Sequence, residues 1–260
     1  MTTIALRHYN RMIDELIENG RFDQAASHCR HIIQTFPKYV NAYRSLGRAY
    51  LESGQYQPAA DILLRLLSSD PDDEIAHLGL SIIREENGQL SQAIWHMEHV
   101  YEIHPANPAI QSELLRLLKR RDGREPSRVA LSRGALARMY IKGELDHQAI
   151  SELRAGLTED PGRLEWQILL AGVLRKTGQE HEAIEISKAV VQKLPYCLKA
   201  NLILLQLFGQ NGNKDEAAIY RQRAVAMDPY LAFITFEQPD EINVPDQAVS
   251  LTVLDNIKTT

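Results

Sequence analysis

Proline recurs along this chain at a fixed interval of 34 residues. The interval separates Pro37, Pro71 and Pro105, and after a gap of 56 residues it also separates Pro161, Pro195 and Pro229. An alanine stands twelve residues before each of the six prolines: Ala25, Ala59, Ala93, Ala149, Ala183 and Ala217. Five residues before most of these alanines stands a glycine: Gly20, Gly54, Gly88, Gly178 and Gly212, with Gly143 displaced by one. A fixed period in this range predicts stacked copies of one supersecondary unit.

Each copy has the pattern of two helices joined by a tight turn. In residues 40–71, apolar side chains recur at helical spacing on both sides of Gly54. Gly54 can adopt the left-handed conformation that ends a helix without a Cβ penalty. Pro71 cannot continue the second helix, because it lacks an amide hydrogen and clashes with the preceding turn. The sequence therefore predicts a repeated helical hairpin.

The recurring alanine predicts a close approach between the two helices of a hairpin, because a methyl group fits where leucine would hold the backbones apart. The facing position in the first helix is also small in four copies: Gly47, Ser81, Ala137 and Ala171. In the first and last copies the same position holds Ile13 and Leu205. Those two hairpins are therefore expected either to be splayed or to rebuild the contact.

The leucine, small residue, tyrosine, glycine, alanine and proline in this register resemble the tetratricopeptide repeat over residues 6–230. The tryptophan usual near the start of such a repeat is replaced by Tyr9, Tyr43, His77, Arg133, Gln167 and Asn201. The resemblance implies an all-α, right-handed superhelix of about six full repeats plus a half repeat in the middle. It also implies that the first helix of each pair lines a concave groove that holds peptides or helices of other proteins.

That geometry selects the side chains expected to face a bound partner protein: Asn41, Arg44, Arg48, Arg116, Lys119, Arg120, Arg138, Lys142, Arg175 and Gln206. The best-known groove chemistry of the family is a clamp of lysine and asparagine on a terminal carboxylate. The corresponding positions of the first three repeats hold Asn10, Asp14, Ser45, Ile75 and Gly79, so this clamp is not expected.

The 56-residue gap is one repeat plus 22 residues. Asn107 followed by Pro108 predicts a helix start, and an apolar stripe continues the helix to Arg121. We interpret residues 108–121 as a half repeat followed by a short linker; a hinge between two three-repeat arrays is the alternative.

The segment from Arg116 to Lys142 contains nine basic residues and two acidic ones. This segment is either a solvated linker or a basic strip that attracts an acidic peptide or a phosphate.

The spacing divides the chain into three repeats at 1–105, an irregular half repeat and basic linker at 106–129, three repeats at 130–229, and a capping segment with an acidic tail at 230–260. The apolar run from Tyr230 to Phe236 is expected to cover the last repeat, because terminal repeats need a cap. The acidic tail is expected to be mobile or loosely packed. A sharper hypothesis is that the tail occupies a groove and competes with the partner.

Composition argues against several other classes of protein. A hydrophobic content of 44% and a formal charge of −5 are ordinary for a folded protein and favour neither nucleic acid nor a membrane surface as partner. No apolar leader or run of about 18 apolar residues occurs, and the two cysteines are far apart, so we predict a cytoplasmic protein with reduced thiols. RNA binding through the basic central segment is the alternative function.

Motifs for enzyme chemistry are missing from the sequence. Phosphate-binding, dinucleotide-binding, nucleophile-elbow and zinc-protease patterns do not occur, so we predict no catalytic residue and no cofactor. His28 with His31, and His96 with His99, have the spacing of metal-ligand pairs but lack further ligands nearby in the sequence. These histidines are interpreted as exposed side chains, and no metal site is predicted. The sequence thus favours a non-enzymatic scaffold that binds another protein.

Overall fold

The computed structural model describes residues 3–124, 128–234 and 244–254. Within those ranges helix follows helix in antiparallel pairs, which confirms the predicted all-α repeat fold. Six hairpins form: α1 (Leu6–Glu18) with α2 (Phe22–Thr35), α3 (Val40–Glu52) with α4 (Tyr56–Ser69), α5 (Glu74–Glu86) with α6 (Leu90–Ile103), α8 (Arg133–Lys142) with α9 (Asp146–Glu159), α10 (Leu164–Lys176) with α11 (Glu180–Lys193), and α12 (Leu198–Gln210) with α13 (Lys214–Met227). A single helix, α7 (Pro108–Asp122), stands between the third and fourth hairpins.

The chain divides into two compact units. The first comprises Met1–Ser69 with Pro195–Thr260 and holds the first, second and sixth hairpins. The second comprises Asp70–Leu194 and holds the other three hairpins with α7. The division predicted from the sequence groups the repeats by their spacing, whereas the two units group them by packing. The predicted segments are 1–105, 106–129, 130–229 and 230–260. That four-part division stays a prediction.

In the second and third hairpins, small side chains lie where the two helices approach closely, as predicted. All six recurring alanines are completely buried. A Cβ atom built on Gly47 would lie 2.6 Å from a methyl carbon of Leu63 in the facing helix. At the same position in the third hairpin, the Ser81 hydroxyl donates to the Ala93 carbonyl at 2.8 Å. Small residues at these positions therefore set the distance between the paired helices.

The turn glycines adopt the left-handed conformation in five hairpins. Their φ angles lie between 71° and 77° at Gly20, Gly54, Gly88, Gly178 and Gly212. In the fourth hairpin the same position is Glu144, which has a φ of 58°, while the neighbouring Gly143 has an ordinary φ of −88°. A residue with a Cβ atom is strained in this region, by roughly 1–2 kcal/mol. The displaced glycine of the sequence pattern thus leaves a local strain at Glu144.

Replacing Glu144 by glycine is therefore expected to stabilise the second unit by about 1 kcal/mol. The reverse change, Gly178→Glu, is the matched control, because a Cβ at Gly178 would meet no atom within 4 Å and only the backbone angle matters. It should destabilise the unit by a similar amount. Both tryptophans, Trp95 and Trp166, belong to the second unit, so urea titration followed by tryptophan fluorescence measures it directly. Equal stabilities for Glu144→Gly and the parent would contradict the prediction.

The additional helix α7 begins and ends as its sequence predicts. The Asn107 side chain accepts a hydrogen bond from the Ala109 amide at 3.0 Å, and Pro108 occupies the first turn. Gly123 ends the helix with a φ of 72°. Leu114 and Leu117 are buried in a core shared with α6. Helix α7 is therefore a packed element of the second unit, and the hinge alternative stays untested.

The C-terminal segment is more ordered than predicted. Pro229–Phe233 forms a 3-10 turn, and Leu231 and Ile234 pack on Ala224 of α13, while the capping role of this segment stays a prediction. After it, Asp246–Ala248 forms a second 3-10 turn, and strand β2 (Ser250–Thr252) pairs antiparallel with β1 (Thr3–Ala5). The expectation of a loosely packed tail is therefore wrong for residues 244–254, because Val249 and Leu251 are buried in a core that includes the first hairpin. Residues 235–243 and 255–260 of the predicted tail lie outside the described residues.

Candidate functional site

A large groove opens in the second unit where α6 ends. Its volume is about 780 Å³, and its walls are the last turn of α6, the loop from His104 to Asn107, and the face of α8 from Arg138 to Gly143. Ile103, Leu131 and Met139 contribute apolar surface to it. A concave, mainly apolar surface with a few polar groups is the usual form of a binding site.

Two side chains of this groove are unusually exposed for their chemistry. Leu131 keeps 45% and Met139 keeps 50% of its surface accessible. Single exposed apolar residues are common, but two that line the same cavity form an exposed hydrophobic patch, which is typical of an interaction site. Methionine also adapts its shape to different apolar partners. These two residues are the surface that a partner would gain most by covering.

Polar groups at the edge of the groove are held in fixed positions. Arg138 donates from its two terminal nitrogens to both carboxylate oxygens of Asp72, with an Nη1–Oδ2 distance of 3.0 Å. Both side chains are about 85% buried, since 15% and 13% of their surfaces remain accessible. Lys142 lies one turn further along α8 and is exposed. The groove therefore combines a fixed guanidinium with an accessible ammonium group.

Beneath the groove, a buried polar network ties α8 to α6 and α10. The Glu102 carboxylate accepts hydrogen bonds from Ser132 Oγ at 2.8 Å, Trp166 Nε1 at 2.9 Å and Arg163 Nη2 at 3.0 Å. Arg163 also pairs with Glu165, and its guanidinium lies 3.9 Å from the centre of the Trp166 ring. Because Glu102 is only 3% exposed and directly adjoins groove residue Ile103, this network fixes the wall of the site.

The second carboxylate of the network stays ionised. Burial alone would raise the pKa of Glu165, but the hydrogen bond from His99 and the charge of Arg163 outweigh it and lower that pKa to about 2. His99 Nε2 lies 3.1 Å from Glu165 Oε1, and His99 Nδ1 lies 2.7 Å from the Trp95 carbonyl oxygen. An acceptor oxygen therefore faces each ring nitrogen of His99, which fixes the orientation of the ring.

The prediction of exposed histidines is wrong, because three of the four are buried and His31 is half-buried. His28, His96 and His99 are each less than 7% exposed. His96 lies 3.0 Å from His77, which stacks on His99 at a centroid distance of 4.4 Å. Burial lowers the pKa of His77 to about 4 and that of His96 to about 3, so both rings are neutral at neutral pH. The spacing of His96 and His99 along α6 did not predict that His77 of α5 would join them in one cluster.

The described residues, 3–124, 128–234 and 244–254, contain neither a clustered set of metal ligands nor a membrane-spanning helix. There, no set of three or more histidine, cysteine or acidic side chains is placed to hold a metal ion. Each helix in those ranges is too short or too polar to cross a lipid bilayer. Cys29 is completely buried, and burial raises the pKa of its thiol to about 12, as expected for a cysteine that serves as a small core residue.

The residues predicted to bind a partner fall into both units. The first unit holds Asn41, Arg44 and Arg48 on α3 and Gln206 on α12; the second holds Arg116, Lys119 and Arg120 on α7, Arg138 and Lys142 on α8, and Arg175 on α10. The groove beside α8 brings together Arg138 and Lys142 from this set. Their role in binding stays a prediction.

The basic strip is largely balanced by acidic neighbours. Of its nine basic residues, Arg116 and Arg120 pair with Glu85, Arg121 with Asp122, Arg133 with Glu152 and Glu159, and Arg138 with Asp72. Glu85 comes from the preceding repeat, and its pKa is lowered by the hydrogen bond from Arg116. A charge count over residues 116–142 overestimates the positive potential of this surface, because every acidic partner named here except Asp122 lies outside that segment. The RNA-binding alternative stays untested.

Sequence reasoning missed the apolar part of the groove and the network beneath it. Leu131 and Met139 are ordinary apolar residues next to a predicted helix, and no periodicity distinguishes an exposed one from a buried one. Glu102 and Arg163 are separated by 61 residues, so no local pattern connects them. Only the packing of α10 on this unit brings the two charges together.

These features define an α-helical repeat protein with a preformed groove. Residues 16–81 match the family described as tetratricopeptide repeat, which confirms the resemblance carried by the spaced prolines, alanines and glycines. Proteins built on this repeat generally act as non-enzymatic scaffolds, and this family supports a protein-interaction scaffold as the general role of the chain.

Individual relatives are distant. The small glutamine-rich tetratricopeptide repeat-containing protein 2 of Mycosarcoma maydis is 31% identical over 67 residues, which are 26% of this chain and 19% of that protein. The chain thus matches about a fifth of the length of this curated relative. Among solved structures, PilF of Pseudomonas aeruginosa is 15% identical with a TM-score of 0.35, over 86% of this chain and 92% of PilF. A tetratricopeptide repeat protein of Parabacteroides merdae is 12% identical with a TM-score of 0.37, over 85% and 77%.

Proposed function

We propose that this protein is a non-enzymatic scaffold that binds a peptide or helix of another protein in the groove beside α8. The observation that carries the proposal is the pair of exposed apolar side chains, Leu131 and Met139, in a cavity of about 780 Å³. A cavity of this size accommodates several side chains of a bound segment, since small-molecule sites of similar form measure roughly 300–1,000 Å³.

Binding is favoured because the groove is held rigid before the partner arrives. Arg138 is fixed by Asp72, and the wall is fixed by Glu102 and its three hydrogen-bond donors. A preorganised surface loses little conformational entropy on association, so modest contacts give useful affinity. The charge of Lys142 at the edge of the groove favours an acidic residue in the partner, placed next to apolar residues that cover Met139.

The test is quantitative affinity purification with three forms of the tagged chain. These are the parent, Met139→Glu in the groove, and Ile219→Glu, a matched control on α13 that replaces a similarly exposed apolar side chain outside the groove. We expect at least one protein to be recovered with the parent and the control and to fall about tenfold or more with Met139→Glu. A tenfold loss corresponds to about 1.4 kcal/mol of binding free energy.

Recovery of the same proteins in the same amounts with Met139→Glu would contradict the groove as the binding surface. If recovery of a partner does fall with Met139→Glu, the segment of that partner that binds the groove can be mapped with overlapping synthetic peptides. For the mapped peptide, Lys142→Glu should weaken binding more strongly at low salt than at high salt, because the contact is exposed and screened.

A further inference from the structure

Within the first unit, a short segment near the C-terminal end lies on the first hairpin as a peptide would lie in a binding site. Within residues 244–254, strand β2 pairs antiparallel with β1, the short strand that precedes α1. The register pairs Thr3 with Thr252, Ile4 with Leu251, and Ala5 with Ser250. The Leu6 amide continues the ladder by donating to the Val249 carbonyl at 2.9 Å. This mode of contact is strand addition, by which many proteins bind extended peptides.

Side chains of the segment fill specific places on the hairpin. Val249 and Leu251 are buried in the same core as Leu6, Tyr9 and Ile13 of α1. Since residues alternate along a strand, two apolar side chains spaced by one residue point to the same face. The segment therefore presents an apolar pair to a core that the first hairpin shares with α3 and Tyr230.

An acidic residue of the segment is held by two arginines of α1. Asp246 lies 3.4 Å from Arg7 Nη1 and 3.1 Å from Arg11 Nη2. The hydrogen bond from Arg11 is the main reason that the pKa of Asp246 is lowered. Arg7 Nη1 also donates to the Val244 carbonyl at 2.7 Å, so Arg7 binds the backbone of the segment as well as the Asp246 carboxylate.

Further polar groups bind the backbone of the segment. His31 Nε2 lies 2.6 Å from the Thr252 carbonyl oxygen, and the Tyr230 hydroxyl donates to the Asp246 carbonyl at 2.8 Å. The Leu254 amide lies 3.5 Å from the Tyr9 hydroxyl. Hydrogen bonds to the main chain do not depend on the side chains of the bound segment. The apolar pair and the carboxylate therefore determine which sequences can bind.

We infer that the first hairpin carries a peptide-binding site that takes extended segments of another protein with the pattern Asp-x-x-Val-x-Leu, and that residues 244–254 occupy this site in the free protein. The contacts that hold the segment in place are a three-residue ladder, the buried side chains of Val249 and Leu251, and ion pairs that are partly exposed to water. A second segment of the same pattern can make the same contacts, so it competes for the site once its concentration exceeds the effective concentration of the tethered segment. This site is separate from the groove beside α8, and neither proposal depends on the other.

The experiment is a fluorescence anisotropy titration with a labelled peptide of residues 244–254. The full-length parent should bind it weakly, because its own segment fills the site. The full-length Leu251→Asp variant should bind the peptide at least tenfold more tightly, since its own segment no longer fits the core. Asp246→Lys, which leaves both apolar side chains in place and repels the two arginines, serves if Leu251→Asp loses its helical circular dichroism.

Charge exchange gives the specific control. Adding Arg11→Glu to the variant should weaken binding of the parent peptide about tenfold, and a peptide carrying Asp246→Lys should restore it. Arg65→Glu, an exposed arginine of α4 in the same unit, should change nothing. Equal binding by parent and variant would overturn the inference, and so would binding that Arg11→Glu leaves unchanged. Loss of peptide binding here would leave the Met139→Glu result of the groove untouched.

Discussion

Replacing Arg163 by methionine is expected to destabilise the second unit by about 3–5 kcal/mol. The guanidinium is the cation that pairs with both Glu102 and Glu165, and the side chains of all three residues are at most 14% exposed. Methionine keeps much of the volume but leaves two buried carboxylates short of a positive partner. Urea unfolding followed by the fluorescence of Trp95 and Trp166 measures the change, because both lie in this unit.

The matched control is Arg154→Met, which removes an arginine from an ion pair with Glu182 at the surface. Both of these side chains are more than a third exposed, so the change should cost less than about 1 kcal/mol. Adding Glu102→Gln and Glu165→Gln to Arg163→Met should recover part of the loss, because the uncompensated charges are then gone. A loss from Arg163→Met no larger than that of the control would contradict a tightly coupled network.

Two glycines of the second unit are expected to respond to alanine with opposite signs. A Cβ atom on Gly156 of α9 would lie 2.5 Å from the Trp166 ring, which is rigid and 7% exposed. Gly156→Ala should therefore destabilise the unit by about 1–3 kcal/mol, because the ring must move within a packed core. The same tryptophan fluorescence titration reports the change, and the Trp166 emission maximum should also shift.

Gly172 of α10 supplies the internal control. It lies in the interior of a helix, and a Cβ atom there would meet nothing within 4 Å. Gly172→Ala should stabilise the unit by about 0.5–1 kcal/mol, because alanine loses less conformational freedom than glycine when a helix forms. Two alanine variants that both stabilise the unit would show that α9 does not approach the Trp166 ring closely.

Periodic features of the fold could be predicted from sequence because each depends on one residue and its neighbours. The left-handed turn at Gly54, the start of α7 at Asn107 and the complete burial of Ala59 are all set locally by backbone angle, capping or size. The strain at Glu144 belongs to the same class, since the displaced glycine showed where the pattern fails.

Contacts between distant segments could not be predicted in the same way. The tail was expected to be loose because chain ends usually are, yet Leu251 pairs with Ile4 of a strand about 250 residues earlier in the sequence. Likewise, Arg138 was predicted as a binding residue from its position on the first helix of a repeat, while the carboxylate that fixes it, Asp72, lies 66 residues away. Charge and hydrophobicity identify residues that need partners, but only packing identifies the partners.

Site-specific photo-cross-linking tests the central claim most directly. A photoreactive phenylalanine analogue placed at position 139 faces the groove beside α8, and the same analogue at position 219 on α13 provides an equally exposed control. The claim that this groove holds a partner protein predicts one discrete cross-linked product from position 139 in cells, with no counterpart from position 219. Illumination that yields no product from position 139, or the same products from both positions, would contradict it.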